Sequence, residues 1–438
     1  MSLDIKAFVE TQFPLLVEIR RHCHEYPELS WQETKTLAYI AEKLDSWHIP
    51  FQSIEKGGIA AILESGRPGP TLLLRADIDA LPVQEGPKNL SQKRMCISRV
   101  PGVMHACGHD GHIAMLLVAA KILHEWKDTW SGTIICLFEQ GEEDSHAMEY
   151  IVPWLETKSG YHIDGCYATH LRWDIPTVKI TICSDAPMAG GFRFDITIHG
   201  QGGHGSRPDL CHSPIDCFSA FNQELQGLRL RTVPPRQCLA VSIGSLHSGE
   251  LQNVVPQDLT FGGTCRYFDY DQAGKPFYDE FYHLLDHTCA SHHCSWTSGP
   301  VPKPLYEVHN DPTCAALAEK AITASLGEDV LTTCDPWMAS ETFAILTRLY
   351  PGVLTFTGIA NPSKGTGGNH HTPEFDLDED ALVYGTTACI SYALAFLKEK
   401  PQPRLPGQMN RWKNWPREMY DTHIVYRKNT IAFWYIIL

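Results

Sequence analysis

The sequence predicts an α/β fold, in which a mostly parallel sheet is flanked by helices and a smaller α+β domain is inserted into the larger one. The chain has 438 residues, and a single hydrophobic core rarely grows beyond roughly 250 to 300 residues, so we expect two domains. Strand-like and helix-like segments alternate over most of the chain, whereas its middle is richer in strand patterns. We therefore predict a larger domain over 1–186 and 301–397, an inserted domain over 187–300, and a C-terminal tail over 398–438.

The larger domain shows helical and strand periodicity in turn. Helical spacing of apolar residues occurs in "TKTLAYIAEKLDSWHI" and in the longer "DGHIAMLLVAAKILHEW". Strands are predicted for "GGIAAILES", "PTLLLRADIDALP", "GTIICLFEQGEED", "DGCYATHL" and "PGVLTFTGI". Polar residues follow several of these strands where the strand ends, which is the usual ligand crevice of an open α/β sheet.

The inserted segment alternates apolar and polar residues instead. This period of two is typical of strands with one buried face, and we find it in "GGFRFDITIHGQGGHGS", "RQCLAVSIGSLHSG" and "DLTFGGTCRYFDY". Helical stretches, "SPIDCFSAFNQELQGL" and "KPFYDEFYHLLDHTC", connect these strands. We therefore expect a small α+β domain inserted into the larger one.

Composition excludes several classes of partner. The 36 basic and 51 acidic residues give a net charge of −15, which disfavours nucleic acid or an anionic membrane as the main partner. The 15 cysteines are spread without a dense framework, and the N-terminus lacks the pattern of a signal peptide. We expect reduced thiols, a cytoplasmic location and no membrane span, because no apolar run approaches the roughly 18 residues required.

The stretch "MHACGHDGH" at 104–112 is the first candidate for a metal site. Cys107 and His109 lie two positions apart between small residues, so a short loop can turn a thiolate and an imidazole toward one ion. This pattern alone leaves open a structural interpretation, in which Cys107 is a small buried residue and the histidines bind backbone groups.

Three further stretches add metal-binding residue types in sequence order. "EQGEED" places Glu142 beside Glu143, so that one carboxylate can bind metal while the other acts on water as a general base. His170 ends the strand "YATHL", and "NHHTPEF" contains His370 and His371. Taken singly, the acidic loop is typical of solvated surface and a lone histidine of a structural position, but the four stretches together favour a metal site.

These stretches also carry a resemblance to a known family. The chain resembles the dinuclear metallopeptidase and aminoacylase superfamily, in its branch of N-acyl-amino-acid amidohydrolases, hippurate hydrolases and indole-3-acetyl-amino-acid hydrolases. The match covers roughly residues 10–397 and rests on "LLLRADIDALPVQE", "GVMHACGHDGH", "FEQGEED", "ATHL", "GQGGHGSRP", "GTCRYFD", "MASETF" and "HHTPEFDLDEDAL".

The resemblance implies a site with two divalent metal ions per subunit, from among zinc, manganese, nickel and cobalt. The implied metal ligands are Cys107, His109, Glu143, His170 and His371, the last preferred over His370 because it lies two residues before Pro373. Glu142 is the implied general base, and Asp79 steadies the ligands. Supporting roles around the ligands are implied for Asp77, His105, Asp110 and His112.

The resemblance further implies that the inserted domain is a lid and a homodimer interface. His204 in "GGHGS" corresponds to a histidine that stabilises an oxyanion, often across the dimer. Asn253 and Arg266 correspond to residues that contact the amide and the carboxylate of the substrate, and Glu341 to an acid near the site. The structural alternatives are an exposed histidine in a glycine-rich turn and a solvated strand arginine.

Several positions depart from the family pattern. The usual "FQPAEE" is "FEQGEE" here, which adds Glu139, the usual "GLHV" is "ATHLRWD", and the usual "GSEDF" is "ASETF". Arg207 replaces an apolar residue after "GGHGS". All five implied ligands are retained, so the departures bear on the substrate, for which Arg172, Trp173 and Arg207 are candidate determinants.

The expected function is that of a metal-dependent amidohydrolase, which cleaves the amide bond of N-acyl amino acids, related small amide conjugates or dipeptides. Glu142 takes a proton from the attacking water and returns it to the departing nitrogen. A zinc nucleoside deaminase is disfavoured because the chain lacks a Pro-Cys-x-x-Cys element. A catalytically silent member that only binds a small molecule or a partner subunit is the remaining alternative, and the presence of Glu142 argues against it.

Overall fold

The computed structural model describes residues 4–299 and 304–401. The predicted tail lies almost wholly outside the described residues. In chain order the strands are β1 (Phe51–Ile54), β2 (Gly58–Glu64), β3 (Thr71–Asp77), β4 (Thr133–Glu139), β5 (Gly165–Pro176), β6 (Ile180–Ile182), β7 (Gly190–His199), β8 (Gly203–His204), β9 (Leu239–His247), β10 (Val254–Val255), β11 (Asp258–Tyr267), β12 (Ser295–Ser298), β13 (Leu331–Thr332) and β14 (Gly352–Ala360).

The α-helices begin and end close to the predicted segments where a prediction was made. They are α1 (Ile5–Thr11), α2 (Phe13–Glu25), α3 (Thr34–Ser46), α4 (His109–Glu125), α5 (Met148–Pro153), α6 (Pro214–Thr232), α7 (Lys275–Ser291), α8 (Pro312–Leu326), α9 (Phe343–Leu349) and α10 (Ala381–Glu399).

The large sheet has the strand order β1-β2-β4-β3-β5-β14-β6-β13. Its four central strands, β4, β3, β5 and β14, run parallel, whereas β1, β2 and β6 join through antiparallel pairs. The predicted α/β class is confirmed, and the sheet is mixed at its margins. Because the central strands are parallel, their carboxyl ends lie at one edge.

Helices cover both faces of this sheet, which explains why its central strands are mostly apolar. Alternate residues of β3 belong to different hydrophobic clusters, with Leu72 and Leu74 in one and Leu73 in the other. The first cluster also contains side chains from α4, α8 and α10, and the second contains side chains from α5 and α9.

Helix α10 is long and apolar enough, by length and composition alone, to cross a membrane. The sequence analysis did not single it out. Within the fold, 78% of its most apolar window is buried inside the protein, and it packs against α8 and α4. Burial of this kind is what a core helix of a large domain shows.

The middle of the chain forms a second, smaller sheet with its own core. Its strand order is β12-β7-β11-β9, all neighbours are antiparallel, and α6 and α7 supply much of the buried apolar surface against it. A separate two-stranded ribbon pairs β8 with β10. After α8, the chain rejoins the large sheet at β13.

Candidate metal centre

The candidate site lies at the carboxyl edge of the central parallel strands. Asp77 ends β3, Glu142 and Glu143 follow β4, and His170 lies within β5. Helix α4 begins at His109, on the connection after β3. Residues up to 93 positions apart in the sequence, from Asp77 to His170, are thereby brought to one edge of the sheet.

Gly108 produces the turn that directs Cys107 and His109 to the same side. It precedes α4 in the left-handed conformation, with φ of 93°, and a Cβ at this position would lie 3.3 Å from the Leu171 side chain. Glycine meets both constraints because it has no side chain to strain or to clash. The His109 Nδ1–H donates to Asp79, at 2.9 Å from its carbonyl oxygen and 3.1 Å from Oδ1, so Nε2 is the ring nitrogen left to face the cluster.

Glu143 meets His109 at the centre of the cluster. Its Oε1 lies 4.0 Å from His109 Nε2 and 3.3 Å from His371 Nε2. Both Glu143 Oε1 and His109 Nε2 are buried, and neither has a hydrogen-bond partner among the described residues. One ligand atom from each of Cys107, His109 and Glu143 lies within 4.8 Å of the others. A shared cation would satisfy these atoms, because unpaired buried polar groups are costly.

His170 extends the cluster on the side of Cys107. Its Nε2 lies 3.7 Å from Cys107 Sγ, and its Nδ1–H donates to the Leu171 carbonyl at 2.7 Å. Burial, reinforced by the neighbouring His112, holds the pKa of His170 well below its usual value. The ring is therefore neutral, which is the form that binds metal, and its Nε2 faces the Cys107 thiol.

His371 and His370 point in different directions. His371 adopts a left-handed backbone with φ of 61°, donates its backbone N–H to the Ala106 carbonyl at 2.9 Å, and is half-exposed beside Glu143. His370 is buried, and its ring centroid lies 4.7 Å from that of Trp337 and 5.5 Å from that of His170. His371 is thus the member of the pair that reaches Glu143, and a non-glycine residue with positive φ is held there by its surroundings.

A second group, Asp77, His109, His112 and His170, also places one ligand atom of each residue within 4.8 Å. His112 has both nitrogens occupied, since Nε2 accepts the Leu171 N–H at 2.9 Å and Nδ1 donates to Asp77 Oδ1 at 2.5 Å. Asp77 in turn accepts from Arg75 Nη1 at 2.8 Å. The hydrogen bonds of His112 give it a supporting position.

Asp79 orients two members of the cluster at once. Its carboxylate accepts from His109, from the Glu143 backbone N–H at 3.0 Å and from the Ser30 hydroxyl at 2.6 Å. Hydrogen bonds from His109 and Ser30 outweigh the effect of burial and lower the pKa of Asp79. An ionised Asp79 can therefore fix the tautomer of His109 and the course of the Glu143 backbone.

The two remaining histidine-loop residues differ from each other. Asp110 accepts from Arg20 Nε at 2.9 Å and from His24 Nδ1 at 2.8 Å, so it anchors the start of α4 to α2. His105 is buried, and neither ring nitrogen has a hydrogen-bond partner among the described residues. No contact of His105 explains its presence in the loop.

The donors fit a pair of divalent metal ions. They comprise a thiol, imidazoles and carboxylates, which together suit zinc, manganese, nickel or cobalt better than magnesium. The two facing atoms without hydrogen-bond partners, His109 Nε2 and Glu143 Oε1, are the structural observation that supports bound cations.

Glu142 lies beside the cluster but is held differently from Glu143. Its side chain is buried, and Oε1 accepts the Thr342 backbone N–H at 3.0 Å. Burial, followed by the nearby carboxylates of Glu341 and Glu143, raises its pKa well above the usual value. A carboxylate with a raised pKa is a stronger base, which suits proton transfer near neutral pH.

Arg75 joins several carboxylates beneath Glu142, and the sequence analysis missed it. Its guanidinium lies 2.9 Å from Glu341 Oε1 and donates through Nε to Glu139 Oε2 at 2.6 Å. A signal was available, because an arginine inside the apolar run "LLLRADIDALP" must find partners if the strand is buried. Trp337, which contacts the rings of both His170 and His370, carries no such signal.

The expected residues of the inserted segment lie elsewhere. His204 and Asn253 are exposed near the β8–β10 ribbon, where the Gly205 N–H donates to the Asn253 carbonyl at 2.8 Å and the Ser206 N–H donates to His204 Nδ1 at 3.1 Å. Within residues 4–299 and 304–401, no hydrogen bond or ion pair joins either side chain to the metal cluster. Arg266 does reach the loop between β13 and α9, where Nη1 donates to Ser340 Oγ at 2.6 Å, one residue before Glu341.

The three candidate substrate determinants, Arg172, Trp173 and Arg207, also differ in position. Arg172 is buried, donates to both carboxylate oxygens of Asp174, and lies 5.8 Å from the Trp337 ring centroid. Trp173 is half-buried. Arg207 is exposed and pairs with Asp209 at 2.7 Å. It lies on the surface of the smaller unit, by which we mean strands β7 to β12 with α6 and α7.

Comparison with known proteins agrees with this geometry. Residues 73–395 match the model of peptidase family M20/M25/M40. The chain is 31% identical to the IAA-amino acid hydrolase ILR1-like 2 of Arabidopsis thaliana, over 89% of this chain and 86% of the relative. It is 32% identical to the N-acetyl-L-cysteine deacetylase of Bacillus subtilis (strain 168), over 84% of this chain and 85% of the relative.

A solved structure shows the same fold. The YXEP protein of Bacillus subtilis, described as a dinuclear metal binding peptidase from the M20 family, superposes with a TM-score of 0.72 and 27% identity, over 89% of this chain and 99% of that one. The predicted resemblance and the expectation of a metal-dependent amidohydrolase are therefore confirmed at the level of the family. The chain belongs to peptidase family M20/M25/M40.

Proposed function

We propose that this protein hydrolyses the amide bond of small N-acyl amino acids or related amide conjugates, with Glu142 as general base. The observation that carries the proposal is the different setting of two adjacent carboxylates. Glu143 Oε1 faces His109 Nε2 and His371 Nε2, whereas Glu142 accepts a backbone N–H and has a raised pKa. One carboxylate is thus arranged to bind a cation and the other to exchange a proton.

The proposed metal ligands are Cys107, His109, Glu143, His170 and His371. Two bound divalent cations supply Lewis-acid polarisation of the amide carbonyl and make water a stronger acid. Asp79 positions two of these ligands, because its carboxylate accepts hydrogen bonds from His109 and from the backbone N–H of Glu143.

Glu142 handles the proton in both halves of the reaction. Its ionised form takes a proton from the attacking water, and its protonated form gives the proton to the leaving nitrogen. Burial and the neighbouring carboxylates of Glu341 and Glu143 raise its pKa, so both forms are accessible during one turnover.

Arg266, Asn253 and Glu341 are the proposed substrate-binding residues. His204 is proposed to stabilise the oxyanion that develops during the reaction. Arg266 suits a substrate carboxylate because its planar guanidinium can donate two parallel hydrogen bonds, and its Nη1 donates to Ser340 Oγ, next to Glu341 in the chain. His204 and Asn253 are exposed on the smaller unit, so a homodimer through that unit is part of the proposal.

The names of relatives support the substrate class. One similar protein is named for IAA-amino acid hydrolysis and another for removal of an acetyl group from cysteine, and both substrates carry an acyl group on an amino acid nitrogen. A cytoplasmic location, and a role without nucleic acid or membrane, remain predictions from charge and composition.

The proposal is tested with purified protein, a panel of N-acetyl and N-benzoyl amino acids and dipeptides, and metal analysis of the same sample. We expect hydrolysis that chelation abolishes and that zinc, manganese, nickel or cobalt restores. The matched control is the same compound with its carboxylate converted to an amide, which should react more slowly if Arg266 binds that carboxylate. Two bound ions without hydrolysis of any panel member would contradict the substrate class and favour a silent binding subunit.

A further inference from the structure

Arg75 carries a buried charge in the middle of an apolar strand. Its side chain is 2% exposed, and a buried guanidinium is tolerated only when it is paired and hydrogen-bonded. Three carboxylates surround it, with Asp77 Oδ2 at 2.8 Å, Glu139 Oε2 at 2.6 Å and Glu341 Oε1 at 2.9 Å. The pairing raises the pKa of Arg75 further above its usual value, against the effect of burial.

Thr342 closes a ring with two of these groups. Its hydroxyl accepts from Arg75 Nη2 at 2.8 Å and donates to Glu139 Oε1 at 2.8 Å. Glu139 therefore uses one oxygen for Arg75 and the other for Thr342. All three side chains are buried, so each hydrogen bond is shielded from water and costly to lose.

The same threonine also touches the proposed base. Its backbone N–H donates to Glu142 Oε1 at 3.0 Å. The ring of Arg75, Glu139 and Thr342 therefore fixes the peptide group that orients Glu142. A shift of Thr342 would be passed directly to the Glu142 carboxylate.

Two departures from the family pattern meet in this ring, although they lie 203 positions apart in the chain. "FEQGEE" has glutamate at 139 where "FQPAEE" has glutamine, and "ASETF" has threonine at 342 where "GSEDF" has aspartate. The usual pair is an amide and a carboxylate, and the pair in this chain is a carboxylate and a hydroxyl. Either pair holds one carboxylate and one hydrogen-bond donor, so either can satisfy Arg75.

We propose that the two departures are one coupled change, in which the carboxylate usual at position 342 stands at position 139, and that Glu139 and Thr342 act together as positioning residues for Glu142. The effect on Glu142 rests on the function proposed above, whereas the coupling between positions 139 and 342 does not.

The two single changes should have unequal effects. Thr342→Asp puts a second carboxylate within hydrogen-bond distance of Glu139, in a pocket that already holds Glu341 and Glu142. Burial, together with the Glu341 carboxylate and against the effect of Arg75, raises the pKa of Glu139 to about 7, so the pocket tolerates added negative charge poorly. Glu139→Gln removes one charge and keeps the shape, and its amide can still donate to Thr342.

The experiment is a double-mutant cycle of Glu139→Gln and Thr342→Asp. Hydrolysis by the metal-loaded protein should fall in kcat by about 10-fold for Glu139→Gln and about 100-fold for Thr342→Asp, whereas the double variant should stay within about 10-fold of wild type and not fall the roughly 1000-fold expected of independent sites. KM and bound metal should change little, because the ring orients Glu142 and binds neither substrate nor metal.

Urea unfolding of the metal-free protein gives a second readout that needs no activity. The unfolding midpoint should fall in Thr342→Asp and recover in the double variant. The matched control combines Thr342→Asp with Glu307→Gln, which removes another buried glutamate that accepts the Tyr270 N–H and lies outside the ring. This control should not recover kcat, and its unfolding effects should be additive.

Each outcome is decisive for the coupling. Additive losses in both kcat and unfolding, or equal rescue by Glu307→Gln, would overturn it. If Thr342→Asp alone is insoluble, solubility of the Glu139→Gln double variant supports the coupling and insolubility of both double variants overturns it. A coupling seen in unfolding together with a wild-type protein that hydrolyses no N-acyl amino acid would leave the ring standing and remove the proposed function instead.

Discussion

The metal cluster and the β8–β10 ribbon are opposite kinds of structure within one chain. Cys107, His109 and His170 are buried at the edge of a sheet, and their orientations are set by Asp79, Gly108 and the Leu171 backbone. His204 and Asn253 are exposed on a two-stranded ribbon and are fixed only by local contacts. Candidate ligands come together in the first region, whereas no hydrogen bond within residues 4–299 and 304–401 joins the side chains of the second to them.

This difference indicates how the reaction would be divided. Binding of metal and proton transfer need fixed distances of a few ångströms, which a packed sheet edge provides. A substrate has to enter and leave the site. The residues that contact it can therefore lie on a surface that closes over the site after the substrate has bound, either from the same chain or from a second copy. The predictions below test whether the buried cluster and the exposed ribbon serve one site.

The largest effect is expected for Glu142→Gln, in the buried region. Loss of the general base should lower kcat on an N-acetyl or N-benzoyl amino acid by roughly 10²- to 10⁴-fold, while metal analysis still finds two ions per chain. The isosteric amide keeps the hydrogen bond from Thr342, so the fold should be unaffected. Substantial residual turnover would remove Glu142 from its role.

The next effect is expected for His204→Ala, in the exposed ribbon. If His204 stabilises the oxyanion, kcat should fall by about 10²- to 10³-fold with bound metal unchanged. His247→Ala, an exposed histidine at the end of β9 in the same unit, is the matched control and should keep wild-type kinetics. A wild-type rate for His204→Ala would mean that the ribbon is unconnected to the site.

A mixing experiment then asks whether the ribbon acts on a second copy of the chain. Glu142→Gln and His204→Ala subunits, refolded or exchanged together, should recover about a quarter of wild-type activity, because half of random C₂ dimers are mixed and each has one intact site. Sedimentation of the wild type should show a dimer. A fully active monomer would contradict this arrangement.

The smallest expected effect is a partial loss of bound metal. Cys107→Ala removes one soft donor from the cluster, so the protein should bind fewer than two ions at equal metal concentration, measured by elemental analysis after gel filtration. Cys238→Ala, at an exposed thiol in the smaller unit, is the control. Unchanged stoichiometry would show that Cys107 is not a ligand.

The sequence predicted many of the strands, helices and site residues of the buried region, but few of the hydrogen bonds and ion pairs between their side chains. The periodic segments gave the positions of β2, β3, β4 and α4, because apolar spacing reports directly which faces are buried. The turn around Gly108, in the histidine-rich stretch 104–112, was also predicted from the sequence. The Arg75 ring was not, since Glu139 and Thr342 are 203 positions apart and a single sequence carries no signal of their contact.

By itself, the sequence determined the residue types of the site, the α/β class and the order in which the stretches follow the strands, because local periodicity and local chemistry depend on neighbouring residues. Only the tertiary structure decided which atoms meet. It turned His371 and not His370 toward Glu143, used both nitrogens of His112 for hydrogen bonds, and left His204 in solvent. Such choices depend on how strands from distant parts of the chain align, and that alignment is set by packing of the whole core.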